Sequence, residues 1–352
     1  FAGRESRAAA ASLWLLLGIA GAWRLARALD ASPATALAAA AVFAAQPLAG
    51  YFTTSMQVDG ANAAILLHLA AIAATPAAAR PGPFVLGILA GLLLALKTSN
   101  LLYLLPLLAW LCASMPAGAR MRWLGRMGLG LLPVAASSYA YAWWITGNPL
   151  FPFYNAVFKS PYYPAENFRD LKWMAGVSWR SLWDLAFRTD AYGQFFPGAA
   201  GLSVLATLPA LAIDAIRRPA PRWLALWAIA AGGALFWHMQ YLRYLFPALA
   251  VLAVLGSVAL ARLLDRRLFA AAVVLLVGSD ALLMPTTSWY LRDNDWPLQL
   301  REGAAARTRI VRTMLPERAL LERVMARDPD ACVLMSDPKA PFVGAGHGHA
   351  IS

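Results

Sequence analysis

In a chain that is 60% hydrophobic, a few polar residues stand where apolar runs begin or end, and their types are those of anion chemistry. Arg243 lies in His238-Met239-Gln240-Tyr241-Leu242-Arg243-Tyr244-Leu245-Phe246-Pro247 and is the only charge between Arg222 and Arg262. A guanidinium suits bidentate capture of a phosphate, and Tyr241 and Tyr244 are spaced to stack on it or on a sugar. Lys97 ends one run and Asn100 opens the next. An ammonium there holds a phosphate as a point charge. Asp59 opens another run, in Thr53-Thr54-Ser55-Met56-Gln57-Val58-Asp59-Gly60. A carboxylate in such apolar surroundings must be paired, hydrated or used. The run Gly147-Asn148-Pro149-Leu150-Phe151-Pro152-Phe153-Tyr154-Asn155 sets two prolines three apart among aromatic residues. This makes a rigid aromatic turn, with Asn148, Tyr154 and Asn155 as candidate binding side chains. Each element also has a plainly structural counterpart: a helix N-cap for Asp59, a snorkelling lysine, an arginine anchored in an aromatic belt and a surface loop.

The elements that must position these residues are long and apolar. Only 14% of the 352 residues are charged, too few for a soluble domain to cover its apolar surface, so a bilayer is the expected solvent. In lipid the backbone must satisfy itself, which Ala/Leu-rich runs do as helices. The expected fold class is therefore an all-α polytopic membrane protein, with ten spans at 11–29, 33–50, 59–75, 83–97, 99–114, 124–146, 197–216, 222–240, 244–262 and 267–284. Residues 83–114 are open to reading as one span with a polar break or as two. Two is the reading that puts every arginine-rich turn on one side.

Those turns hold Arg24 and Arg27, Arg80, Arg120, Arg122 and Arg126, Arg217, Arg218 and Arg222, and Arg262, Arg266 and Arg267. Only Asp30, Asp214 and Asp265 oppose them, which accounts for nine of the twelve net positive charges. Arginine dealt out loop by loop follows the positive-inside rule; a nucleic-acid stripe would be clustered. No nucleic-acid partner is expected. Asp59, Lys97, Asn100, the Gly147–Asn155 run and Arg243 all fall on the opposite, extracytoplasmic face. The membrane domain covers 1–284 and includes an outer loop, 147–196, in which Trp179 to Arg188 reads as an amphipathic juxtamembrane helix. Residues 285–352 carry nine basic and eight acidic residues and read as the start of an extracytoplasmic α/β domain. Its expected parts are a helix from Glu317 to Arg327 and a strand from Ala331 to Met335.

Other signals carry less. Cys112 and Cys332 have no metal spacing, and His347 and His349 lack a third ligand. No glycine-rich nucleotide loop and no hydrolase elbow occurs. Lys159, Arg169 and Lys172 read as solvated loop charges, His68 as a packing residue, and Asp280 as a local pairing partner. No cofactor is implied. The chain begins with Phe1 and ends at Ser352, and both ends read as cut.

At these residues the sequence resembles the GT-C type membrane glycosyltransferases, the superfamily that includes the bacterial aminoarabinose transferase and the protein mannosyltransferases. The resemblance rests on four elements in order. They are Asp59 at the outer start of an early helix, the helix end from Gly91 to Lys97, the exit from Trp143 through Gly147 to Asn155, and the Arg243-Tyr244…Pro247 helix start. It covers most of residues 1–284 as a pattern of spans. It implies transfer of a sugar from a polyprenyl-phosphate donor to a lipid, glycan or protein acceptor, at the outer face of a bacterial inner membrane. Arg243, then Lys97, would stabilise the leaving phosphate, with Asn100, Tyr244, Asn148, Tyr154 and Asn155 lining the substrate. Asp59 would orient the acceptor or sugar, or help hold a divalent cation. The family's principal carboxylate lies in a first outer loop, expected upstream of Phe1, so the chain as given is expected to be inactive. A transporter or flippase of lipid-linked glycans shares the groove and the arginine but needs polar groups through the membrane; a non-catalytic scaffold is the third reading.

Overall fold

Runs rich in alanine and leucine satisfy their own backbone as helices, and helices are almost all that forms here. The structure is a computed structural model that describes residues 6–54, 57–168, 173–193 and 198–284, and, in the tail, 305, 312, 316–328, 333–334 and 350–351. The principal helices are α1 (Ser6–Ala28), α2 (Pro33–Ala45), α3 (Pro47–Thr54), α4 (Asp59–Ala74), α5 (Pro83–Leu96), α6 (Leu101–Ala113) and α7 (Arg120–Thr146). After a loop with two short helices, α8 (Asn155–Phe158) and α9 (Ser181–Phe187), come α10 (Ser203–Arg217), α11 (Pro219–His238), α12 (Leu242–Leu263) and α13 (Arg266–Leu283). The chain divides into two units, residues 8–285 and a second made of 1–7 with 286–352. In the second, α14 (Pro316–Arg327) is followed by a parallel pairing of Val333 and Leu334 (β1) with Ala350 and Ile351 (β2). The rest of the expected strand, with Cys332, His347 and His349, lies outside the described residues, as do Arg169 and Lys172.

The expected helical class is thus what the chain adopts. Among the described residues only α12 is long and apolar enough to cross a membrane by itself. The expected span 33–50 is broken: α2 and α3 meet at 66°, at Pro47, which has no N–H to continue the helix. Residues 83–114 form two helices that double back, so that Arg80 before α5 comes to donate to Ser114 Oγ after α6 at 2.7 Å. The expected span from 197 starts as a helix only at Ser203.

Helix α12 is buried all round over Val251–Ala259 and lies at the centre, against α2, α4, α10 and α11. The closest crossing is between α5 and α7. A Cβ on Gly87 would stand 2.0 Å from the Met127 carbonyl oxygen, and one on Gly130 2.2 Å from that of Phe84, so only glycine admits this approach.

Helix C-termini gather at the arginine-rich end, and the arginines close them. Arg80 donates to the Thr75 and Ala73 carbonyls at the end of α4 (2.9 and 3.1 Å), and Arg120 to those of Met115 and Ala113 at the end of α6 (3.1 and 3.2 Å). Arg262 donates to Asp214 Oδ2 at 2.5 Å and to the Leu29 carbonyl, joining the ends of α12, α10 and α1. Carbonyls at a helix C-terminus lack intrahelical donors, so these side chains cap the bundle as well as charge it.

Candidate functional site

At the opposite end, the site starts from the break between α5 and α6. Lys97 is extended (φ −165°), which stops α5 and leaves its last carbonyls open. Asn100 donates to the Leu93 carbonyl at 2.7 Å and Tyr139 Oη to that of Leu94 at 3.1 Å. Asn100 also donates to Asn62 Oδ1 at 2.9 Å, which ties the break to the first turn of α4. That contact brings Lys97 to Asp59, Nζ to Oδ1 at 2.8 Å, with side chains 20% and 4% exposed. Asp59 is the first residue of α4, yet the N-cap position is Val58 and no side chain caps it. The carboxylate serves the lysine instead.

Helix α12 supplies the second cation. Lys97 Nζ stands 3.1 Å from the centre of the Tyr244 ring, and Arg243 Cζ lies 5.3 Å from the same ring and 4.8 Å from that of Tyr241. Tyr103 Oη donates to the Tyr244 carbonyl at 3.1 Å and Trp227 Nε1 to the Tyr103 carbonyl at 2.8 Å, so α6, α11 and α12 are pinned together beneath the pair. Among the described residues no carboxylate meets Arg243, and its buried Nε has no hydrogen-bond partner. The loop after α8 is fastened above: Gly176 N–H donates to Gln240 Oε1 at 2.9 Å, and Trp173 packs edge-on against Tyr241.

The exit loop turns inward two of the side chains expected to line the substrate, and the break before α6 does the same with a third. Gly147 closes α7 in the left-handed region (φ 70°), its N–H on the Trp143 carbonyl at 2.8 Å. Asn148 and Asn155 are fully buried. Asn148 donates to the Phe153 carbonyl (2.9 Å) and accepts from Leu150 N–H (2.9 Å); Asn155 donates to the carbonyls of Ser160, Tyr163 and Pro164. Asn100, 2% exposed, is equally occupied. These three asparagines satisfy backbone groups that the irregular chain leaves open, and none lines the cavity. Tyr154, at φ 55° and 57% exposed, does face it.

The cavity is about 330 Å³. Its polar end is Lys97, Thr98, Ser99 and Tyr244; Tyr154 and Phe153 form its roof; Leu102, Leu235 and His238 belong to its α6 and α11 walls. Arg243 is not on the wall but behind Tyr244. His238, Thr98 and Ser99 were not singled out from sequence, although they flank Lys97 and Arg243 in the two polar breaks. A second groove of about 570 Å³ follows along the same pair of helices, lined by Pro106, Trp110, Trp223, Leu226, Trp227 and Ala230. Leu102, Pro106 and Trp110 recur every four residues, one face of α6, so the apolar lining runs on from the polar end.

Asp59 is engaged by Lys97, and among the described residues no group of three His, Cys, Asp or Glu side chains comes together that would help it hold a divalent cation. Asp280 is fully buried and accepts from the Leu202 and Ser203 N–H groups (2.6 and 3.3 Å), capping α10 from another helix. His68 bonds the Leu17 carbonyl (3.1 Å) and Arg24 (3.2 Å). Lys159 is an exposed loop residue. Comparison with protein-family models, curated proteins and solved structures finds no match for the chain.

Proposed function

We propose that the protein is a multi-pass membrane glycosyltransferase that takes a sugar from a polyprenyl-phosphate donor and delivers it to a lipid, glycan or protein hydroxyl at the extracytoplasmic face of a bacterial inner membrane. The observation that carries this reading is the amphiphilic shape of the site. A polar end with Lys97, and Arg243 sharing its Tyr244, passes into an apolar groove along the α6–α11 seam. A headgroup with one phosphate and an apolar chain matches both halves. In such a site the two cations draw the electron pair of the breaking sugar–oxygen bond onto phosphate, while Tyr154 and Phe153 cover the sugar.

Support for a bilayer comes from mid-helix side chains that no neighbour covers, such as Leu129 (68% exposed) on α7 and Leu275 (72%) on α13. Glycine-mediated crossing of α5 and α7 is the packing expected where lipid competes for apolar surface. Ten crossings, several by helices shorter than about 20 residues, belong to the same proposal. So does a tail that starts an α/β unit, for which α14 and the parallel β1–β2 pairing are the support.

The seam groove also favours a second reading, a flippase for lipid-linked glycans. One experiment separates the two: membranes carrying the protein from its whole open reading frame are given radiolabelled polyprenyl-phosphate sugar, and both transfer and sidedness are followed. Transfer that falls at least about tenfold with Arg243→Gln and with Lys97→Met, the cost of one charge-assisted contact, supports the enzyme. Movement of the lipid across the membrane without transfer would replace it with the flippase, and transfer indifferent to both changes would remove the assigned site.

A further inference from the structure

The anion site has fewer usable charges than its cations suggest. Lys97 and Arg243 share the Tyr244 ring, but only Lys97 is neutralised, by Asp59 at 2.8 Å. Asp59 is nearly buried and does not line the cavity, so it faces a ligand only through Lys97. Arg243 has no counter-ion among the described residues, and no carboxylate lines the cavity wall. Counted with Arg243, which stands behind Tyr244, the described side chains at this end of the bundle carry one net positive charge. Its other lining groups, among them Thr98, Ser99, Tyr154 and His238, add hydrogen-bonding capacity without fixed charge.

Resting on the glycosyl-transfer reading, we propose that Asp59 determines specificity: it holds the site at one net positive charge, so that a mono-anionic phosphodiester is retained and a dianionic phosphate monoester is released. The transfer itself creates that difference. The bond between the sugar's anomeric carbon and the phosphate oxygen breaks, and its electron pair stays on oxygen. The acceptor's hydroxyl oxygen forms the new bond to the anomeric carbon, and its proton passes to water in the open cavity. A diester of charge −1 becomes a monoester of charge −2. A site with two free cations would hold the product most tightly. A site in which Asp59 cancels one of them matches the donor and lets the product go. Because the carboxylate is held 2.8 Å from the ammonium on a separate helix, this balance is built into the packing of α4 against α5.

The test compares two probes on the full chain in nanodiscs at pH 7: farnesyl phosphate, predominantly a dianion there, and its methyl ester, a monoanion. Wild type is expected to bind the methyl ester at least as tightly as the phosphate. Asp59→Asn keeps the shape and releases Lys97, so affinity for farnesyl phosphate is expected to rise about tenfold relative to the ester, the effect of one unit charge at partly screened range. Lys97→Met leaves Asp59 uncompensated and is expected to move the ratio the other way, which keeps the test decisive if Asp59→Asn does not fold. A ratio unchanged in the folded variants, or an equal weakening of both probes, would overturn the role of Asp59 while leaving the lipid-phosphate reading intact. Failure of both probes to bind wild type would take down that reading and this inference together.

Discussion

On the proposed membrane reading, replacing Arg262 by lysine separates an arginine that merely sets orientation from one that holds the bundle together. Its guanidinium reaches Asp214 Oδ2 at 2.5 Å and, with its other terminal nitrogen, the Leu29 carbonyl. Asp214 is 4% exposed, and its second oxygen meets Arg218 Nε at 3.3 Å from a side chain that is 54% exposed. Lysine keeps the positive charge but has a single nitrogen in place of the fork, so one of the two acceptors is given up. A hydrogen bond to a charged group contributes about 1.5–3 kcal/mol. Arg262 is 20% exposed, so water replaces part of the lost bond and the expected cost is about 1–2 kcal/mol. Arg262→Gln also removes the ion pair. Breaking a buried pair costs about 3–5 kcal/mol, which the remaining Arg218 reduces to about 2–3 kcal/mol. The assay is the thermal midpoint of the detergent-solubilised protein by size exclusion after heating, beside a sidedness reporter in the Ala117–Ala119 turn. Wild type should be the most stable, lysine intermediate and glutamine the least, with orientation unchanged by lysine. A lysine variant as stable as wild type would mean that Arg262 supplies charge alone, and the clamp reasoning would be wrong.

Other outcomes follow from packing and loop chemistry. Gly130→Ala drives a Cβ to 2.2 Å from the Phe84 carbonyl oxygen and should cost about 1–3 kcal/mol in the same heating assay. Gly125→Ala on the same helix meets nothing within 4 Å and should be neutral or stabilising by up to about 1 kcal/mol. Asn155→Ala opens three carbonyls and the Ser160 N–H, so limited proteolysis between residues 150 and 165 should accelerate several-fold, with binding at Lys97 affected only through the roof. If the seam groove holds the lipid chain as proposed, Trp110→Arg puts a charge into it; affinity for a long polyprenyl phosphate should fall while that for a farnesyl probe changes little, as competition binding with the two chain lengths would record.

Much of the frame was legible in residue order. Apolar runs of helical length, bounded by proline, glycine and polar residues, mark out where α1, α4 to α7 and α10 to α13 lie, and α2 with α3 as a single run, because helix formation depends mainly on neighbours within a few positions. Gly147 as the stop of α7 was readable for the same reason. The break at Pro47 was not, since the apolar pattern runs straight through it. His238 was passed over because an isolated histidine near an aromatic helix end carries no spacing signal.

The site divides along the same line. Asp59, Lys97 and Arg243 were legible as charges where apolar chain tolerates few, and their common end of the bundle followed from the alternation of turns. Sequence by itself determined the helices, the crowding of arginine at one end and the scarcity of charge at the other. These are local or compositional properties. Tertiary structure alone decided that Asp59 pairs with Lys97 across 38 residues, that Arg243 meets no carboxylate among the described residues, and that Asn100, Asn148 and Asn155 are spent on backbone carbonyls. It likewise turned Arg80, Arg120 and Arg262 from topological charges into caps on other helices. Partners of that kind are chosen by which helix ends meet, and in this chain that depends on glycine-permitted crossings and on where an open carbonyl happens to point.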